Sequence, residues 1–164
     1  MIGGYDETFS HNEDAEYDER VVKARGRIFL DADIRIKYVP RGSVASLARQ
    51  YFNYGKGRAR NARKHSRPLK LRQALPVLAL IASLLGLVIA PFFWPAILLP
   101  LGYVSVLAAT SLLMIVLKRS FCGILTGITS GTMHMSWAAG FLRETLFPKE
   151  DKRAFPLVFP KKTL

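Results

Sequence analysis

The chain has 164 residues, a formal net charge of +12 and a single cysteine. That length sets one domain as the default, and one thiol rules out an intrachain disulfide. Residues 20–72 hold sixteen of the 24 basic residues, whereas 73–117 run for 45 residues without Asp, Glu, Lys or Arg. One helical pass needs about 20 apolar residues, so the uncharged stretch is long enough for two, which argues against a soluble nucleic-acid-binding domain.

The first 19 residues hold seven acids and no Lys or Arg. No signal peptide is expected there, because a basic start and an apolar core are both missing. Residues 1–10 read as a loop, from Gly3, Gly4 and the turn formers Asp6, Thr8 and Ser10. Asn12 is a good helix N-cap and puts Glu13, Asp14 and Glu16 in the first turn. The helix dipole favours acids there by roughly 0.3–1 kcal/mol each. Taken alone, that placement explains the three acids without any catalysis. The helix is expected to run to about Ala24, with Tyr17, Val21 and Ala24 on one side and Gly26 as its stop. Two short strands are predicted next, over 27–30 and 34–39. The second alternates apolar Ile34, Ile36 and Tyr38 with basic Arg35 and Lys37, the pattern of a half-buried strand. Asp31-Ala32-Asp33 between them reads as a turn, with metal binding as the second reading.

Residues 43–65 predict an amphipathic helix. Arg49, Lys56, Arg60, Arg63 and Arg67 fall on one stripe, and Val44, Leu47, Tyr51, Tyr54 and Ala62 gather opposite. A basic helix just before an apolar segment reads as interfacial, each cation gaining about 1 kcal/mol from anionic lipid. Gly55 and Gly57 weaken a helix by roughly 1 kcal/mol each relative to alanine, so a kink or break is expected there. The same stripe, with Tyr51, Phe52 and Tyr54, would also suit nucleic-acid phosphates and bases, or serve as a plain anchor. The neighbouring apolar stretch favours the membrane, and no nucleic-acid partner is expected.

Two spans are predicted, 74–90 and 96–117, split by Pro91-Phe92-Phe93-Trp94-Pro95, with Trp94 suited to the bilayer interface. Basic residues precede the hairpin and Lys118-Arg119 follow it, whereas the turn has none. The positive-inside rule therefore places 1–72 in the cytoplasm of a multi-pass inner-membrane protein. Residues 121–142 are uncharged but less apolar, and Gly123, Gly127 and Gly131 form a small-residue face for close packing. A helix packed on the hairpin and a third span are both open readings. His134 reads as a hydrogen-bonded structural residue, with an intramembrane functional role as the alternative. His11 and His65 lack zinc-site spacing and read as surface residues, Cys122 as an inert packed thiol, and 148–164 as a loop-like tail. The domain plan is thus 1–42, a basic helix over 43–72, a membrane region over 73–147, and the tail.

Gly3-Gly4-Tyr5-Asp6-Glu7 followed by Asn12-Glu13-Asp14-Ala15-Glu16 resembles the last third of the catalytic domain in family 2 glycosyltransferases of GT-A type. The resemblance implies an α/β fragment as fold class, in which the helix and two strands complete the edge of a catalytic sheet, followed by membrane helices. It implies Asp14 as the general base, Glu13 orienting it or meeting the acceptor, and Gly3, Gly4 and Asp6 near the donor sugar. A sugar hydroxyl is a poor nucleophile at neutral pH, and a carboxylate within hydrogen-bond reach takes its proton as the new bond forms. Processive members carry Gln-any-any-Arg-Trp on an interfacial helix. Here Gln50 matches, Asn53 stands for the arginine and Tyr54 for the tryptophan. That departure points to addition of one sugar to a lipid-linked acceptor instead of polymerisation. The run from Arg49 to Arg58 is similar to the ExoA-type members, which act in succinoglycan exopolysaccharide assembly, and puts Gln50, Tyr54 and Arg58 on the acceptor side.

The implied partners are membrane lipid, a lipid-linked saccharide acceptor and a nucleotide-sugar donor. The family's nucleotide-cradling strands and Asp-any-Asp metal element do not precede Asp14. The chain is therefore expected to be the C-terminal portion of an inverting membrane enzyme, with little transfer by itself. It is expected to need no cofactor of its own, Mg or Mn and the donor belonging with an N-terminal half. The alternative is a non-catalytic membrane protein, either a truncated remnant or an adaptor for lipid or a partner.

Overall fold

Five α-helices carry the architecture in the computed structural model, which describes residues 2–9, 11–66, 68 and 70–148. They are α1 (Glu13–Lys23), α2 (Val44–Lys64), α3 (Leu71–Ile89), α4 (Leu98–Lys118) and α5 (Leu125–Leu146). Short 3-10 turns, Trp94–Ile97 and Phe121–Ile124, lead into α4 and α5. The predicted tail from residue 149 onward lies outside the described residues.

A side-chain cap opens α2. The Ser43 hydroxyl accepts from the Ser46 amide at 3.2 Å, satisfying one of the donors a helix N-terminus leaves open. The expected break at Gly55 and Gly57 does not occur, and α2 runs through both. Each glycine is a notch for a neighbour. A Cβ on Gly55 would strike the Trp137 carbonyl on α5, and one on Gly57 would strike the His11 carbonyl. Gly140 of α5 stands in the same relation to the Phe52 carbonyl of α2. The propensity cost of roughly 1 kcal/mol per glycine is offset by backbone-to-backbone approach along the most extensive helix pair in the fold.

A buried ion pair closes the far end of this pair. Glu144 of α5 is fully buried, 2.9 Å from Arg60 Nε, 3.6 Å from an Arg63 terminal nitrogen and 3.4 Å from one of Arg143. Two members of the basic stripe thus face a protein carboxylate. Arg60 and Arg63 turn to an α5 carboxylate, because an ionised group without water needs opposite charge close by. Arg67 lies outside the described residues.

The α3 helix and the Trp94–Lys118 unit are the two helices, among the described residues, long and apolar enough to cross a membrane. Only 11% and 6% of their apolar windows are buried within the fold, so their hydrophobic surface faces outward. α5 is not among these; it lies against α2, α3 and α4. Ser111 ties α4 to α5, donating to the Ile124 carbonyl at 3.1 Å and accepting from the Gly127 amide at 2.8 Å.

The α/β expectation is overturned. Among the described residues there is no strand, and 27–30 and 34–39 are irregular. The side chains assigned to a sheet face are exposed, Leu30 at 93% and Ile36 at 83%. Alternating hydrophobicity yields a strand only where a neighbour takes up its N–H and C=O groups, and no described segment does so. Asp31-Ala32-Asp33 is the expected turn, with the Asp33 amide donating to Asp31 Oδ1 at 2.9 Å. Asn12 also departs from expectation. It precedes α1 at φ 65° without a side-chain cap, and its Nδ2 instead donates to the Tyr54 carbonyl at 3.2 Å.

Candidate functional site

Two adjoining regions collect the residues singled out in the sequence. The first joins the N-terminal loop to α1 and the end of α2. Gly3 takes φ 77°, a left-handed conformation that an L side chain strains to adopt. The Arg20 guanidinium of α1 donates to the Ile2 and Gly4 carbonyls, each at 2.7 Å, so the glycine pair is pinned to the helix. The same guanidinium pairs with Glu16 one turn back at 3.0 Å. Glu16 is fully buried and also meets Lys64 Nζ at 2.8 Å and His65 Nε2 at 3.3 Å. Lys64 reaches Asp6 as well, and Asp6 accepts from the Thr8 amide at 3.0 Å and hydroxyl at 2.6 Å.

Burial alone would push the Glu16 carboxyl up, but hydrogen bonds from Lys64 and Arg20 outweigh it and hold Glu16 below the ordinary glutamate value. Asp6 is likewise held low, burial being outweighed by Lys64 and Thr8. Lys64 is raised, because its two carboxylate partners overcome its own desolvation. His65 is lowered, by burial first and by Lys23 next, against the pull of Glu19 and Glu16. A neutral imidazole satisfies both contacts, its Nε2–H donating to Glu16 while Nδ1 accepts from Lys23 Nζ at 2.7 Å. His65, read from the sequence as a surface residue, is thus a nearly buried member of this network, its side chain 7% exposed.

Asp14 lies in the first turn of α1 on the open side, and its Oδ1 accepts from the Ala15 amide at 2.7 Å. Glu13 beside it is half-buried. An exposed carboxylate at this point is free to meet an incoming hydroxyl, while Asp6 is committed to Lys64 and Thr8.

The second region is a cleft of about 450 Å³ between α2, α3 and α5. Tyr51, Tyr54 and Arg58 line it from α2, and Arg72, Gln73 and Pro76 from α3. α5 contributes Ser130, Met133, His134 and Trp137, and Asn12 closes one end. Gln50 braces the cleft from behind, its Nε2 donating to the Tyr54 hydroxyl at 2.7 Å while its Oε1 accepts from Arg41 at 3.3 Å. The Tyr54 ring stands edge-on to Tyr51 at 5.6 Å, and Trp137 stacks on Phe141 at 5.4 Å. The structure therefore brings Tyr54 and Arg58 together with Gln50 at their back. Gly3, Gly4 and Asp6 do not line this cleft. Asp14 is two residues beyond Asn12 at its end.

Arg20, Arg72 and Trp137 were not singled out in the sequence, and Glu16 was given no role of its own. Glu16 looks like any first-turn acid, and the signal that separates it is its four-residue spacing to Arg20. Cys122 is exposed instead of packed. Among the described residues no group of three or more His, Cys, Asp or Glu side chains is placed to hold a metal ion. Asp31 accepts from the Asp33 backbone amide within their turn, and among the described residues no further His, Cys, Asp or Glu side chain joins the two in a metal-binding group.

No family model matches the chain. No solved structure matches it either. Over 146 residues, however, it is 41% identical to the succinoglycan biosynthesis protein ExoA of Rhizobium meliloti (strain 1021). The chain resembles ExoA. The match covers 88% of this chain and 44% of ExoA, so the chain spans less than half the length of that relative. The likeness to ExoA read from residues 49–58 thus extends along most of the sequence.

Proposed function

We propose that this chain is part of an inverting, membrane-bound family 2 glycosyltransferase of exopolysaccharide synthesis, passing a sugar from a nucleotide-sugar to a lipid-linked acceptor. The observation that carries the reading is the 41% identity over 146 residues to a protein named for succinoglycan biosynthesis. Asp14 takes the proton of the acceptor hydroxyl. That oxygen bonds to the anomeric carbon from the face opposite the leaving group, and the carbon–oxygen bond to the nucleotide diphosphate breaks with its electron pair. Attack from the opposite face inverts the anomeric centre. The exposure of Asp14 supports its role, and the pinning of Gly3 and Gly4 by Arg20 supports a fixed loop beside the sugar. Glu13 flanks the base, and Tyr54, Gln50 and Arg58 meet the acceptor.

In this reading α3 and α4 sit in the inner membrane, residues 1–72 face the cytoplasm where nucleotide-sugars are made, and α2 lies at the interface. Donor binding and any divalent metal are assigned to sequence other than these 164 residues, so the polypeptide by itself is expected to leave a uridine-diphosphate sugar unchanged. The test uses membranes from cells making the intact gene product, supplied with a labelled nucleotide-sugar. Label is expected in a lipid-extractable product with wild type and not with Asp14→Asn, since a positioned base contributes about 10²–10⁴-fold. Equal labelling by the two would remove Asp14 from the chemistry.

A further inference from the structure

The cations of α2 are unequally matched. Arg60 and Arg63 answer Glu144, and Lys64 answers Asp6 and Glu16. Arg58 has no carboxylate partner among the described residues. One terminal nitrogen reaches Gln73 Oε1 at the long distance of 3.4 Å, and its Nε is buried without a hydrogen-bond partner there. A buried donor left unmade is costly, and a guanidinium keeps its charge throughout the physiological range. Arg72, on the first turn of α3, adds a second cation to the same cleft, and none of the lining residues is acidic.

The geometry points to this cleft as the seat of a phosphate ester borne by a lipid, its phosphate held by Arg58 and Arg72 and its attached sugar ring against Tyr54 and Trp137. The terminal nitrogens of a guanidinium match two phosphate oxygens in a fork, which a single neutral acceptor such as Gln73 does not complete. Aromatic walls suit the apolar face of a sugar ring, with a few polar groups fixing its orientation. A lipid source is favoured over a free anion by where the second cation stands. Arg72 heads a helix long and apolar enough to cross a membrane, and below it Leu75 and Leu78 lie more than half exposed. A hydrocarbon chain running along that outer surface leaves its phosphate level with the two arginines. Asn12 at the cleft's end directs the sugar toward α1, two residues from Asp14. This assignment rests on the acceptor of the proposed transfer being lipid-borne, and names the residues that recognise it.

The test is a binding measurement that needs no transfer. The full chain carrying Trp94→Phe, so that Trp137 is the reporter, is placed in phosphatidylcholine nanodiscs and titrated with a polyprenyl phosphate, a polyprenol or inorganic phosphate. Saturable change in Trp137 emission is expected with the polyprenyl phosphate alone, weakened about tenfold or more by Arg58→Gln and by Arg72→Gln. Arg72 is exposed, so its variant keeps the test decisive if loss of Arg58 disturbs folding, which circular dichroism reports. Equal binding of polyprenol would overturn the phosphate assignment, and saturation by inorganic phosphate at the same concentration would overturn the lipid source. Unchanged affinity in the Arg72 variant would overturn the two-cation site. Absence of transfer by the intact enzyme with polyprenyl phosphate binding intact would strike the proposed transfer, whereas absence of binding with transfer intact would strike only the cleft.

Discussion

Glu16 offers the sharpest test of how the N-terminal loop is held. Its carboxylate is fully buried and faces three partners, Arg20, Lys64 and His65, at 3.0, 2.8 and 3.3 Å. Glu16→Ala removes the anion and leaves Arg20, 12% exposed, and Lys64, 30% exposed, facing one another without it. Breaking a buried pair from one side costs about 3–5 kcal/mol. For a chain of this size each kcal/mol moves the melting point by about 2–4 °C, so a fall of about 6–20 °C is expected. Glu16→Gln keeps an acceptor but not the charge, and its cost of about 1–3 kcal/mol places it between the two. The assay is thermal loss of helical circular dichroism in one detergent for all three proteins. A double-mutant cycle with Lys64→Met isolates the pair, because contacting partners couple where distant ones add. A Glu16→Ala protein melting within about 2 °C of wild type would refute the reasoning, since it would mean the network contributes no more than a surface pair.

The α2–α5 notch predicts that Gly140→Val destabilises by about 1–3 kcal/mol or more through collision with the Phe52 carbonyl. Gly102→Ala, where a Cβ meets nothing within 4 Å, is the control expected to leave the melting point unchanged or raised. For pH, His65 is depressed below its ordinary 6.5, so its contribution is present above that value and is lost as pH falls through it. Glu16 and Asp6, also depressed, are lost at still lower pH, whereas Lys64, raised above 10.5, loses its contribution as pH rises through its folded value. Melting temperature is therefore expected to plateau between about pH 7 and 10 and fall on both sides; a maximum near pH 5 would contradict this. With Cys122 replaced by Ser, a cysteine at exposed position 18 is expected to react with a membrane-impermeant maleimide in inside-out vesicles only. Labelling in intact spheroplasts would reverse the proposed orientation.

The helices were legible because their signals are local. Ser43 stands at the start of α2, the charge gap over 73–117 marks the hairpin, and three first-turn acids mark α1 although Asn12 does not cap it. The strands were misread because alternation over 34–39 describes a face and says nothing of what covers it. Gly55 and Gly57 look like helix breakers along the chain, and only the carbonyls of Trp137 and His11 reveal them as points of close approach. The same limit applies to the site. Gln50, Tyr54 and Arg58 share a helix at short spacing and were found together. Trp137 and Arg72 complete their cleft from 83 and 14 residues away along the sequence from Tyr54 and Arg58, a relation that only tertiary packing shows. The basic stripe was visible, but the pairing of its Arg60 and Arg63 with Glu144 depends on an acid 84 residues from Arg60.

The most direct test of the account separates chemistry from binding at Asp14. In single-turnover transfer by the intact membrane enzyme, Asp14→Asn is predicted to slow the chemical step by about 10²–10⁴-fold while leaving acceptor affinity unchanged. A variant that transfers at the wild-type rate, or one that loses only affinity, would contradict the assignment of the proton acceptor.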